Sequence, residues 1–242
     1  MINFMKNNVH HAFTLGETLF VIGIISIVAA FTTPSLVSSY KDKVIASKVK
    51  KTYSILTQAY TSSKNSKGTP IRWHLVDEDD TGATGYKHWF KIQFQNNVKV
   101  LKNCGITDAS CFNSNVKTLK GDATFSELSG TTYDFITQDG VAYALRSISH
   151  NCTSNKGTGA LKNTCGLIFI DIDGPNKGHS IAGKDVFVFY LTKTGVLSYN
   201  AGSQSKDGVS YDCYTTGNSC ASWILRYGNA KYKISGNILL DN

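Results

Sequence analysis

The sequence predicts an α+β protein: a long N-terminal helix packed on an antiparallel β-sheet of about four or five strands, stapled by disulfides. The helix is membrane-spanning in its first half and amphipathic in its second. Three observations lead there. From Thr18 to Thr33 no charge interrupts a mostly apolar run. After it, apolar residues recur at three-to-four spacing as far as Tyr60. Beyond Tyr133, short β-prone runs alternate with glycine-containing turn signals, in a chain with 21 Gly and only 3 Pro.

The first element is the apolar run. Extended back to Phe13 it gives about 20 residues, the length a helix needs to cross a bilayer core of about 30 Å. A simple anchor is one reading. A removable secretory signal is another, with Leu19 to Ile27 as its core and the small residues Val28-Ala29-Ala30 before a cut at Phe31. That signal would have only Lys6 as a basic head and no use for Glu17, a carboxylate at the edge of an apolar segment.

The stretch "AFTLGETLFVIGIISIVAAFTTPSL" resembles the N-terminus of type IV pilins and type II secretion pseudopilins. In that family a polar leader is cut before a Phe, which is then N-methylated. A Glu stands four residues later and a Pro 21 residues later, positions met here by Phe13, Glu17 and Pro34. Ala12 stands where the family usually has Gly. The resemblance implies cleavage between Ala12 and Phe13 by a prepilin peptidase, and assembly through Glu17 and the apolar helix containing Pro34. Glu17 would pair with the new Phe13 ammonium of a neighbouring copy, because each charge alone in an apolar packing zone costs several kcal/mol.

The resemblance also divides the chain. Residues 1–12 become a cytoplasmic leader, 13–37 a transmembrane and assembly helix, 38–64 an amphipathic stem, and 65–242 an extracytoplasmic pilin-like globular domain. It implies a single-pass protein of the bacterial inner membrane, with the N-terminus cytoplasmic and the C-terminal domain periplasmic or extracellular, entering a filament after assembly. The basic residues downstream of the span (Lys41, Lys43, Lys48, Lys50 and Lys51) argue for the opposite orientation by the positive-inside rule. The cysteines outweigh them, because they call for an oxidising compartment.

Pro34 is expected to break or kink the helix. The stem follows, with Val44, Ile45, Val49, Tyr53, Leu56, Ala59 and Tyr60 on one face and the lysines mostly on the other. It should end before "KNSKGTP", stopped by Asn65, Gly68 and Pro70. A helix from Phe13 to Lys64 would be about 75 Å long at 1.5 Å per residue, its first half projecting from a globular head.

Residues 71–130 carry weaker signals. "HWFKIQFQ" (His88 to Gln95) reads as a strand, and the acidic run Val76 to Asp80 reads as a solvated loop with a calcium loop as the alternative. Legibility returns with "YDFITQ", Asp139-Gly140 and "VAYALRS", a hairpin with a two-residue turn. "GLIFIDI" (Gly166 to Ile172) and "VFVFYLT" (Val186 to Thr192) are further strands, the second turned by Lys193-Thr194-Gly195 into "VLSYN".

Between those strands lies "DIDGPNKGHSIAGKD". Asp171, Asp173 and Asp185 offer three carboxylates for calcium, the only cofactor the sequence suggests. Some pseudopilins bind calcium in a C-terminal loop, and pilin-like proteins carry similar D-x-[ND]-G, P-N and G-x-D-x-F strings. The alternative is a tight connection in which Asp171 and Asp173 bond turn amides, while Gly174 and Pro175 set the backbone.

Six cysteines permit fifteen connectivities. The economical choice pairs neighbours: Cys104-Cys111, Cys152-Cys165 and Cys213-Cys220. Each bridge would contribute about 2–3 kcal/mol. The Cys213–Cys220 segment resembles the disulfide-bounded C-terminal loop of pilins. Trp223, Ile224 and Tyr227 beside it read as core.

The formal charge is +8, yet only three residues are Arg and there is no Arg-rich run, so nucleic acid is not favoured as a partner. His10, His11, His74, His88, His150 and His179 show no metal-ligand spacing beyond the adjacent pair, and no catalytic motif is present. The expectation is therefore no enzyme. The chain reads as a structural subunit of a type II secretion or type IV pilus filament. Its partners would be the prepilin peptidase, copies of itself and other pilins or pseudopilins, the inner-membrane assembly platform and membrane lipid. The alternatives are a minor pilin acting as a DNA-uptake or adhesion receptor, and a secreted domain behind an ordinary signal peptide.

Overall fold

The computed structural model describes residues 14–73, 97–175, 177, 180–199, 206–234 and 237–238. The expected leader, the Ala12–Phe13 junction, the acidic run at 76–80 and the strand at 88–95 lie outside the described residues. Helix α1 runs Leu15–Lys67, with Pro34 inside it. The helix is not broken at the proline. The hydroxyls of Thr32 and Thr33 donate to the carbonyls of Val28 and Ala29 at 3.0 and 2.6 Å. Side chains thus add hydrogen bonds in the turn where the ring removes a backbone donor. At the other end α1 passes Asn65. Gly68 takes a left-handed φ of 79° and returns its amide to the Lys64 carbonyl at 2.9 Å. A glycine C-cap, not the asparagine, ends the helix.

Contacts divide the chain into two units, residues 1–41 and 42–242. In the first, α1 contains a stretch long and apolar enough to cross a membrane, and none of that stretch is buried within the chain. Leu19, Phe20, Ile22, Ile25 and Phe31 are exposed. The hydroxyl of Ser26 donates to the Ile22 carbonyl at 2.8 Å, so this polar side chain is satisfied by the helix itself.

The second unit is built on a six-stranded antiparallel sheet in the order β1-β2-β3-β4-β5-β6. The strands are β1 Val100–Ile106, β2 Tyr133–Thr137, β3 Ala142–Ser147, β4 Thr164–Asp171, β5 Val186–Thr192 and β6 Val196–Leu197. The count exceeds the expected four or five because of β1. This strand is interrupted by bulges between Val100 and Lys102 and between Asn103 and Gly105. Those bulges erase the alternation by which a strand is recognised. A hairpin joins β2 to β3 at the expected place, but its loop has three residues, Gln138-Asp139-Gly140, and not two: the Thr137 amide donates to the Val141 carbonyl at 3.0 Å, the Gly140 amide to the Thr137 carbonyl at 2.9 Å, and Gly140 alone takes a left-handed φ, 83°.

Both faces of the sheet are covered. Tyr143, Leu145, Ile168, Ile170, Phe187, Phe189 and Leu191 join a core with Ala46, Val49, Leu56 and Tyr60 of the α1 stem. Ala142, Ala144, Leu167, Phe169, Val186, Val188 and Tyr190 point the other way, into a second core with Phe112, Val116, Phe125 and Leu128. Double coverage explains why "GLIFIDI" and "VFVFYLT" are continuously apolar although the sheet is antiparallel. Tyr53 stacks on Phe189 with centroids 5.5 Å apart, and the Tyr60 hydroxyl donates to the Lys193 carbonyl at 3.0 Å. The stem therefore grips the middle and the far end of β5.

Three disulfides join Cys104 to Cys111, Cys152 to Cys165, and Cys213 to Cys220. The last links helix α2 (Lys206–Thr215) to helix α3 (Cys220–Tyr227). Trp223 and Ile224 of α3 are buried in the stem-side core, and Tyr227 packs partly buried against it. A short ladder follows, β7 Lys233–Ile234 with β8 Asn237–Ile238.

The Cys104–Cys111 loop rests on Asp134 of β2, a buried carboxylate whose Oδ2 accepts the Asp108 amide at 2.8 Å. Burial pushes its pKa up to about 6, assisted by the charge of Asp108 and opposed by hydrogen bonds from Thr132 and the Asp108 amide. The folded state thus binds a proton more tightly than the unfolded one, so stability falls as pH rises from about 4 to about 6. Asp134→Asn keeps the acceptor and removes the titration. Melting temperatures measured from pH 4 to 7 should fall less for Asp134→Asn than for the wild type over that window. Parallel curves would contradict the assignment.

Candidate functional site

The head of α1 is the first candidate site. The Glu17 carboxylate Oε2 accepts the Thr14 amide at 2.9 Å and the Thr14 hydroxyl at 3.0 Å. In return, the Glu17 amide donates to the Thr14 hydroxyl oxygen at 3.3 Å. This is a capping box: Thr14 is the N-cap and Glu17 sits three residues on, each satisfying the other's open backbone donor. Its T-x-x-E signature is present in "TLGE" and was readable in the sequence. Glu17 therefore has a local partner in the isolated chain. Ala12 and Phe13 lie outside the described residues.

The second candidate site is a corner where the stem meets two loops of the sheet. Lys48 and Lys51 lie one turn apart on α1. The Lys48 ammonium donates to the Ile172 carbonyl at 2.9 Å and to Asp173 Oδ1 at 2.8 Å. The Lys51 ammonium donates to Asp139 Oδ2 at 2.7 Å, while Oδ1 of the same carboxylate accepts the Thr137 hydroxyl at 2.6 Å. Burial opposes ionisation of Asp139, but the bonds from Lys51 and Thr137 and the lysine charge outweigh it and hold its pKa below the usual value. The sequence placed these lysines mostly on the solvent face. They are exposed there apart from the half-buried Lys48, and two of them also tie the helix to loops of the sheet. The Lys50 ammonium reaches the C-terminal end of α3, 3.2 Å from where a β-carbon on Gly228 would stand.

The three carboxylates proposed for calcium do not form a cage. Asp171, buried at the end of β4, turns Oδ1 to the amides of Asp173 and Gly174 at 3.1 and 3.0 Å. Asp173 faces Lys48, and Asp185 Oδ2 accepts the Ile181 amide at 3.3 Å. Among the described residues no group of three His, Cys, Asp or Glu is placed to hold a metal ion. The part of the alternative concerning Asp171 matches this geometry. Asp173 differs from it, taking an ammonium and not a turn amide. Burial pushes the Asp171 pKa up to about 7, with the charges of Asp185 and Asp173 adding to the rise and the two amides countering it.

The two loops touch. A β-carbon on Gly174 would stand 2.8 Å from the Gly140 carbonyl oxygen, and Gly174 has a φ of 84°. Glycine is required here by conformation and by close approach together. Gly174→Ala should cost about 1–3 kcal/mol, measured by denaturant unfolding. Gly195→Ala, at a turn with nothing within 4 Å of the new methyl group, should change stability far less. Equal losses for the two variants would show that the corner is not closely packed. No protein-family model, no curated protein and no solved structure matches this chain.

Proposed function

We propose that this chain is a structural subunit, a pilin or pseudopilin, of a type IV pilus or type II secretion filament. One observation carries the reading: a capped helix whose first part is apolar on all sides and uncovered in the monomer, and whose second part is amphipathic and buried on a sheet. An apolar surface of that length requires lipid or other copies of the same helix around it. Storage in the inner membrane supplies the first cover and filament assembly the second. The prepilin-type spacing of Phe13, Glu17 and Pro34 supports the same reading. Three local disulfides agree with a globular part outside the cytoplasm. In this reading the chain is the substrate of a peptidase, not a catalyst.

The decisive measurement is the mature N-terminus, read by mass spectrometry of protein from membranes. N-methylated Phe13 is the expected result. An unmodified start at Phe31 would replace this proposal with secretion behind an ordinary signal. A second variant addresses assembly. Glu17→Ala should remain in the membrane fraction yet enter filaments at least about tenfold less than the wild type, because a buried ammonium is left without its carboxylate. Normal incorporation would contradict the role of Glu17.

A further inference from the structure

We infer that the Lys48 ammonium is the resident cation of the β4–β5 loop, standing where the loop's oxygens would otherwise attract a divalent metal. Calcium needs six to eight oxygen ligands at about 2.3–2.6 Å. Here two oxygens suited to such a site, the Ile172 carbonyl and Asp173 Oδ1, converge instead on one ammonium at 2.9 and 2.8 Å. Asp171 Oδ1 is already engaged by the amides of Asp173 and Gly174, and Asp185 Oδ2 by the Ile181 amide. A metal would have to displace Lys48 and reorganise the turn.

An ammonium delivered from a helix differs from a bound ion in one respect. Lys48 is neighboured in sequence by Ile45, Ala46 and Val49, which pack into the stem-side core. Its backbone is fixed by that packing, so the charge is supplied with the fold and does not depend on ion concentration. The Ile172 carbonyl and the Asp173 carboxylate are therefore held in a medium without calcium. Lys51 does the equivalent for the Asp139-Gly140 turn. Asp139 stands on the neighbouring turn and is none of the three carboxylates, which makes Lys51 a control.

The test uses the full-length chain in detergent micelles, melted in EDTA and in millimolar calcium. Wild type should melt at the same temperature in both. Lys48→Met should melt about 1–4 °C lower in EDTA and regain at least about half of that loss in calcium. Lys51→Met should lose stability without a calcium response, and Lys48→Arg should stay near the wild type. Asp173→Asn should lose stability in EDTA with no recovery in calcium; it serves as the readout if Lys48→Met fails to fold. A calcium-dependent rise in the wild type would overturn the inference. So would an undiminished melting temperature of Lys48→Met or Asp173→Asn in EDTA. A Lys48→Met loss that calcium does not restore would reduce Lys48 to an ordinary ion pair and overturn it equally.

Discussion

The packing of the α1 stem on β3, β4 and β5 is the interaction on which the rest of the second unit depends. Val49 and Leu56 are wholly buried there, and Tyr53 and Tyr60 reach across to Phe189 and the Lys193 carbonyl. Each fully buried large aliphatic side chain contributes about 1.5–3 kcal/mol by removal from water. A two-sided sheet needs two covers. The stem is one, and the chain between β1 and β2, bringing Phe112, Phe125 and Leu128, is the other. Because α1 covers the stem side, α3 is left to fill the remaining space with Trp223 and Ile224, and the Cys213–Cys220 bridge fixes where α3 begins. The order of dependence is thus stem, sheet, then tail.

The same stem sets the electrostatics of one end of the sheet. Lys48 and Lys51 are placed by the buried residues beside them, and each meets a loop that leaves a strand end. These ion pairs are partly exposed, so each contributes little by itself. Their effect is geometric. They hold two loops side by side where Gly174 lies against the Gly140 carbonyl, a contact that only a glycine permits. Among the described residues of the acidic loop, Asp171 and Asp185 accept backbone amides and Asp173 accepts the Lys48 ammonium.

Much of this was legible in the sequence, and the limits have physical causes. Stem periodicity, the Asp139-Gly140 hairpin and the apolar strand runs are local signals, and each marks an element that formed. Pairing cysteines with their neighbours was a choice among alternatives, and the three bridges follow it. β1 escaped because its two bulges spoil a period of two. The helix runs on through Pro34, which a proline rule alone does not foresee, because one missing backbone bond is a local cost that a long helix can bear. The lysine clamp is not legible in the sequence because a helical wheel shows which face is polar but not what lies opposite. Lys48 is 124 residues from Ile172, and only the folded sheet brings them together. The capping box differs: T-x-x-E is a local signature, and in it the Glu17 carboxylate is a hydrogen-bond acceptor as well as a charge.

That double character of Glu17 bears on the proposed assembly. Hydrogen bonds from Thr14 satisfy the lone pairs of one carboxylate oxygen, but they bring no positive charge. In water the distinction is minor, because solvent screens the charge. Among packed apolar helices it is large, since a hydrogen-bonded but uncompensated carboxylate still bears most of its desolvation cost. A cation is then required, and the sequence near the helix head contains no lysine or arginine between Lys6 and Lys41. In the proposed reading the nearest source of positive charge is the ammonium that cleavage before Phe13 would create. Within one chain the capping box already occupies the carboxylate from the Thr14 side, which favours a partner approaching from another copy. The cap orders the first turn of the helix, and the unmet charge selects the neighbour.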